Sequence, residues 1–188
     1  MADLERIQHV AKRVTHTYDQ GNNVVVILSA MAGVTDKLIN LANEVTEKPD
    51  RRELDVLLAT GEQTTAALLA MMLRSMDYPA ASLMGYQADV VTDCEFGNAR
   101  IIEIGGERIK ELLRKRAIVV IAGFQGHDPR GNITTLGRGG SDKSAVAIAA
   151  AQKADGCEIY TEVDGINTAD PNICSNERKI KQISDYEI

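Results

Sequence analysis

Val24-Val25-Val26-Ile27-Leu28, followed at once by Ser29-Ala30-Met31-Ala32-Gly33-Val34-Thr35-Asp36, is the stretch that decides the fold. Five consecutive apolar residues, mostly β-branched, read as a strand buried on both faces of a parallel sheet. The small residues after it lead into a helix that runs through about Val45. A strand, a small-residue turn and a helix form the place where α/β proteins hold ligands.

The same alternation extends outward in both directions. On the N-terminal side, Ala2–Tyr18 carries Leu4, Ile7, Val10 and Val14 at helical spacing. On the C-terminal side, Asp50–Met76 reads as mostly helical, with a break at Thr60-Gly61-Glu62 where the carboxylate of Glu62 is free to line a site. Pro79–Met84 and Arg100–Ile104 read as short strands, Asp89–Arg100 as loop with some strand, and Gly106–Arg116 as a charged surface helix. Ala117–Ala122 is a second buried-strand run. Gly123–Leu136 reads as a hairpin around His127-Asp128-Pro129-Arg130-Gly131-Asn132, which is dense in turn residues. Lys143–Lys153 is an alanine-rich helix, Cys157–Val163 a strand, and Ile183–Ile188 the start of a helix. Alternating strands and helices without repeats or linkers predict one α/β domain with a mainly parallel sheet.

Composition narrows the function. A net charge of −6, few aromatic residues and no tryptophan argue against a nucleic-acid surface. No stretch reads as a membrane span or a signal peptide. Cys94, Cys157 and Cys174 are odd in number and far apart, which suits a reducing cytoplasm. His9 and His16 have no further ligand at metal spacing, so no metal site is expected from protein side chains.

The most distinctive loop is Gly131-Asn132-Ile133-Thr134-Thr135-Leu136-Gly137-Arg138-Gly139-Gly140-Ser141-Asp142. Its glycines allow close approach of a ligand. Ser141 and Asp142 suit the first turn of the following helix, Ser141 as a cap and Asp142 against the dipole. Arg138 is a fixed cation able to grip a carboxylate or phosphate with two parallel hydrogen bonds. An arginine beside a helix N-terminus is the layout of an anion site. The loop matches neither a Walker A sequence nor a dinucleotide fingerprint.

Four stretches together carry a resemblance. They are Ser29–Thr35; Thr60-Gly61-Glu62-Gln63; Gly123-Phe124-Gln125-Gly126 with Thr134–Asp142; and Tyr160-Thr161-Glu162-Val163-Asp164-Gly165 with Thr168-Ala169-Asp170-Pro171. In order and spacing the chain resembles the aspartokinases of the amino acid kinase family, over essentially its whole length. The resemblance implies a three-layer α/β/α sandwich. It implies a cytoplasmic kinase that transfers a phosphoryl group from ATP, with Mg²⁺, to the side-chain carboxylate of L-aspartate. That reaction opens lysine, threonine and methionine biosynthesis. The family pattern assigns aspartate contacts to Thr35, Glu62, Arg138 and Ser141, with Ser29 nearby, and gives Asp142 an organising role at the reaction centre. It puts Thr161, Glu162, Asn167, Thr168, Asp170 and Asn172 on the nucleotide side. A homo-oligomer is compatible with it.

The chain departs from the pattern at Glu162, Asn167 and Asn172, where Asp, Tyr and Arg are usual. Aspartokinases also carry a strand ending Lys-Phe-Gly-Gly-Thr-Ser-Val before the first residue here and a Gly-Ser-Lys-Val lysine after the last. Residues 1–188 therefore read as a partial catalytic domain, without the C-terminal small-molecule-sensing (ACT) domains and with weak turnover. Two other readings stay open: a family member acting on a glutamate-type carboxylate, and a silent aspartate-binding module.

Overall fold

The fold is described by a computed structural model over residues 4–160. Met1–Cys157 form one compact unit and Glu158–Ile188 another. Among the described residues the elements all fall in the first: α1 (Leu4–Asp19), β1 (Val25–Leu28), α2 (Val34–Val45), α3 (Arg51–Ser75), β2 (Ala80–Leu83), β3 (Val90–Thr92), β4 (Ile101–Ile104), α4 (Glu107–Arg114), β5 (Ile118–Ala122), β6 (Gln125–His127), β7 (Ile133–Thr135) and α5 (Gly140–Gln152).

A parallel three-stranded sheet, β1-β5-β2, forms the middle layer. Strand β5 is its centre, and all five of its residues are buried. Successive side chains of a strand point to opposite faces, and β5 divides accordingly. Ile118, Val120 and Ala122 join Ile7, Ala11 and Val14 of α1 and Ala66, Leu69 and Leu73 of α3 in one core. Val119 and Ile121 join Ile109 and Leu112 of α4 and Ile148 of α5 in the other. Helices on both faces of a parallel sheet make the three-layer α/β/α sandwich that the alternating pattern implies.

A second sheet, β4-β3-β6-β7, is mixed: β3 runs parallel to β6, and the other pairings are antiparallel. The β6–β7 hairpin pairs Gln125 with Thr135 and His127 with Ile133. Its turn is organised by Asp128, which accepts hydrogen bonds from Arg130 N, Asn132 N and Asn132 Nδ2 at 2.8–2.9 Å. Those donors, Asn132 foremost, hold the Asp128 carboxyl below the usual carboxylate range.

Four expectations need correction. The run at Val24–Leu28 is only half-buried apart from Leu28, because among the described residues β1 pairs on one side only, with β5. The helix over Asp50–Met76 is unbroken at Gly61. That glycine sits where α3 presses closest to Ala30, so its role is room, not interruption. Residues 157–160 are not strand, and the rest of Cys157–Val163 lies outside the described residues, as does Ile183–Ile188. Finally, α3 is by length and composition apolar enough to cross a membrane. Half of its apolar window is buried inside the chain, where it is the core helix of one layer.

Helix α3 is tied to β7 by a buried carboxylate. Asp55 is 1% exposed. Its Oδ2 accepts from Gly97 N at 3.0 Å and Thr135 N at 2.8 Å, and its Oδ1 accepts from Thr135 Oγ1 at 2.8 Å. Removing the acceptor orphans three donors, at about 1–3 kcal/mol for each that stays buried. Asp55→Ala is therefore expected to lower stability by at least about 3 kcal/mol. The measurement is a shift in the urea midpoint at unchanged slope. A loss below about 1 kcal/mol would mean that water replaces the carboxylate.

Candidate active site

An open cleft of about 550 Å³ lies where β1, β5 and the β7–α5 turn end together. Ser29, Thr35, Asp36, Ile39, Leu58, Glu62, Phe124 and the run from Gly137 to Asp142 line it. Residues from four distant stretches are thus brought to one place. All six residues expected at the reaction and aspartate subsites, Ser29, Thr35, Glu62, Arg138, Ser141 and Asp142, are among them. Thr161, Glu162, Asn167, Thr168, Asp170 and Asn172 lie outside the described residues.

Two helix N-termini open into this cleft. Gly33 caps α2 and Gly139 caps α5, both left-handed at φ +72° and +69°. Neither helix has a side-chain cap. Ser141 is therefore not the cap that its position suggested: α5 begins a residue earlier, at Gly140. Uncapped N-terminal N–H groups and the positive end of the helix dipole favour an anion. Arg138 adds a formal charge. It is exposed in the turn between the two glycines, with no ion pair among the described residues.

Glu62 faces the same cleft from α3 with the opposite sign. It is 4% exposed. Its Oε1 accepts the Ala30 N–H at 3.0 Å, while its Oε2 is buried with no hydrogen-bond partner among the described residues. Burial pushes the Glu62 carboxyl above the usual carboxylate range, and the Ala30 N–H pulls it part of the way back. A buried carboxylate oxygen without a donor is costly. Its chemistry calls for a cation or an N–H donor from the cleft.

Sequence reasoning missed Phe124, Asp36, Ile39 and Leu58. Phe124 follows β5 in a left-handed backbone, φ +67°, which costs a non-glycine residue about 1–2 kcal/mol. It is clamped there. Its N–H donates to Ser144 Oγ at 3.1 Å, its carbonyl accepts from Leu136 N at 2.8 Å, and Ser144 Oγ donates to Gly140 O at 2.8 Å. A Cβ on Gly140 would come within 2.7 Å of the Phe124 ring. The strand end and the start of α5 therefore fix each other. The available signal was an aromatic residue inside Gly123-Phe124-Gln125-Gly126.

The cleft thus defines a class: an α/β domain with an anion site at two helix N-termini and a recessed carboxylate beside it. The amino acid kinase family matches residues 1–188, and the chain belongs to that family. An aspartokinase of Geobacillus stearothermophilus is 53% identical over 98% of this chain and 45% of its own length. One from Thermus thermophilus is 49% identical over 97% of this chain and 45% of its own. The chain therefore spans less than half the length of these relatives. Among solved structures, an aspartate kinase from Synechocystis is 47% identical with a TM-score of 0.75, over 94% of this chain and 29% of that one. Aspartokinase III of E. coli, in complex with aspartate and ADP, is 25% identical with a TM-score of 0.82, over 95% of this chain and 51% of that one.

The raised carboxyl of Glu62 carries a stability consequence. The folded chain holds this proton to higher pH than the unfolded chain, so stability drains away as pH climbs from the unfolded carboxylate range through the folded value. Glu62→Gln removes that loss. The melting temperature of the variant relative to the parent should therefore rise as pH climbs above the ordinary carboxylate range, without ligand. A difference independent of pH would mean that Glu62 is ionised equally well in both states.

Proposed function

We propose that this chain forms the amino-acid-binding part of an aspartate kinase, which transfers the γ-phosphoryl group of ATP to the β-carboxylate of L-aspartate. One observation carries the reading. Glu62, with a buried carboxylate oxygen that has no partner among the described residues, and Arg138, with no ion pair among them, line one cleft with two uncapped helix N-termini. That pattern complements a small zwitterion carrying a further anionic group. The curated relatives with this architecture are aspartokinases, which supports aspartate as the zwitterion.

The roles follow from chemistry. Glu62 takes the α-ammonium, and Arg138 the α-carboxylate through its planar fork. Ser29, Thr35 and Ser141 donate hydrogen bonds to carboxylate oxygens. The β-carboxylate has an ordinary pKa of about 3.9 and is already an ionised nucleophile. Its oxygen attacks the γ-phosphorus as the bond to the bridging oxygen of ADP breaks, and no proton has to move. The remaining work is alignment of two anions and stabilisation of charge on the transferred group. Mg²⁺ typically takes one or two carboxylates plus phosphate oxygens. Asp142 and Asp36 are exposed carboxylates at the cleft and fit that donor set. When bound, the ion neutralises phosphate charge. Thr161, Glu162, Asn167, Thr168, Asp170 and Asn172 are proposed for the nucleotide. The same reading puts the reaction at the head of lysine, threonine and methionine biosynthesis.

Two measurements test it. Calorimetry should detect aspartate binding, and hydroxylamine trapping should yield the aspartyl hydroxamate from aspartate, ATP and Mg²⁺. Trapping with glutamate in preference to aspartate would overturn the substrate assignment. Arg138→Lys keeps the charge and loses the fork, so aspartate affinity should fall by about 1.5–3 kcal/mol, roughly tenfold or more. Unchanged affinity would remove Arg138 from the site. Glu62→Gln should weaken aspartate more than succinate, which lacks the ammonium; equal losses would mean that Glu62 does not read it.

A further inference from the structure

The geometry points to Gly61 as a positioning residue for recognition of the substrate amine, acting through its contact with Ala30. This inference rests on the aspartate reading of the cleft.

Gly61 stands in the interior of a 25-residue helix. Glycine is a poor choice there compared with alanine, and no left-handed backbone requires it: Gly61 is absent from the positive-φ glycines. What requires it is space. A Cβ at this position would lie 2.9 Å from Ala30 Cβ, 3.5 Å from Val34 Cγ1 and 3.8 Å from Leu38 Cδ1. The first distance is shorter than carbon atoms tolerate, so one element would have to move away.

The neighbouring residue makes that movement matter. Glu62 accepts the Ala30 N–H at 3.0 Å, so one alanine is touched twice by adjacent residues of α3. The helix backbone meets its methyl group at Gly61, and the Glu62 carboxylate meets its amide. These two contacts fix where the Glu62 carboxylate, with its buried Oε2, sits at the wall of the cleft. A shift of a few tenths of an ångström between α3 and the β1–α2 turn would stretch the Ala30–Glu62 bond and swing that oxygen. Misplacement on this scale is felt in binding and rate.

The test exchanges the methyl group across the contact. Aspartate affinity is measured by calorimetry, and the Ala30 amide proton is followed by ¹H–¹⁵N NMR without ligand. Gly61→Ala should weaken aspartate about tenfold and move the Ala30 amide upfield as its hydrogen bond lengthens. Adding Ala30→Gly should restore both, with affinity within about threefold of the parent. A general loss of packing would not be rescued by removing a second methyl group. Unchanged affinity in Gly61→Ala, or a loss that Ala30→Gly leaves in place, overturns the inference. Should Gly61→Ala alone not fold, the double variant decides: parental affinity supports the inference and a loss overturns it. A parent chain that takes up no aspartate overturns the aspartate reading itself. The Ala30 amide then decides the geometric part, and an unmoved resonance in Gly61→Ala overturns that too.

Discussion

The register of helix α3 is the constraint on which the rest of the unit depends. Asp55, Ala59 and Glu62 recur at helical spacing and so share one face. Each grips a different part of the chain. Asp55 holds β7 through Thr135 and the loop at Gly97. The carbonyl of Ala59 accepts from Gln125 Nε2 of β6 at 2.9 Å. Glu62 accepts from Ala30 in the β1–α2 turn. Two turns of one helix thereby position the strands that lead into the cleft and the carboxylate inside it. A slip of one residue would rotate this face by about 100° and release all three. An unbroken helix is a mechanical requirement of the site, which is why Gly61 packs within it instead of ending it.

Around this frame, the cleft keeps groups that an optimally stable fold would avoid. Glu62 holds a carboxylate oxygen away from water without a donor, and Phe124 occupies a left-handed backbone. Each runs against stability by an amount comparable to a good hydrogen bond. Each is offset locally: the Ala30 amide serves one oxygen of Glu62, and Ser144 with Leu136 saturates the backbone of Phe124. Strain and unmet polarity collected at one cleft, with compensation next to it, are what a site built for a ligand looks like.

Much of this was legible in the sequence, for identifiable reasons. Helical and strand periodicity set out α1, α4 and β5, because each follows a single dominant pattern. Arg138, Ser141 and Asp142 were legible because an arginine, a serine and an acidic residue carry strong chemical meaning in a glycine turn before a helix, whereas Ser29, Thr35 and Glu62 were expected at a substrate from the family resemblance. Three features were not. Burial of β1 depends on its lateral partners, and a β-branched run reads the same at an edge as in the centre. The role of Gly61 depends on what it touches; in sequence, a glycine that makes room looks like one that breaks a helix. Phe124 and Leu58 were given no role in the site, since only the fold shows that they line a cleft.

The helix caps make the same point. Helix α3 starts at Asp50, whose side chain accepts from Glu53 N at 3.1 Å, and so uses up one of its own free donors. Helices α2 and α5 start at glycines, which leave those donors open. The stability given up is small, since glycine in place of a capping side chain costs only a few tenths of a kcal/mol. A glycine cap alone does not make a site, however. Helix α4 also starts at one, Gly106, yet there a Cβ would meet the side chain of Gln152, so that end is covered by the protein itself. What separates α2 and α5 is convergence. Their open ends line one cleft together with Arg138 and Glu62. Charges of both signs, carried on different elements and lining one cleft, complement the zwitterion proposed as the ligand.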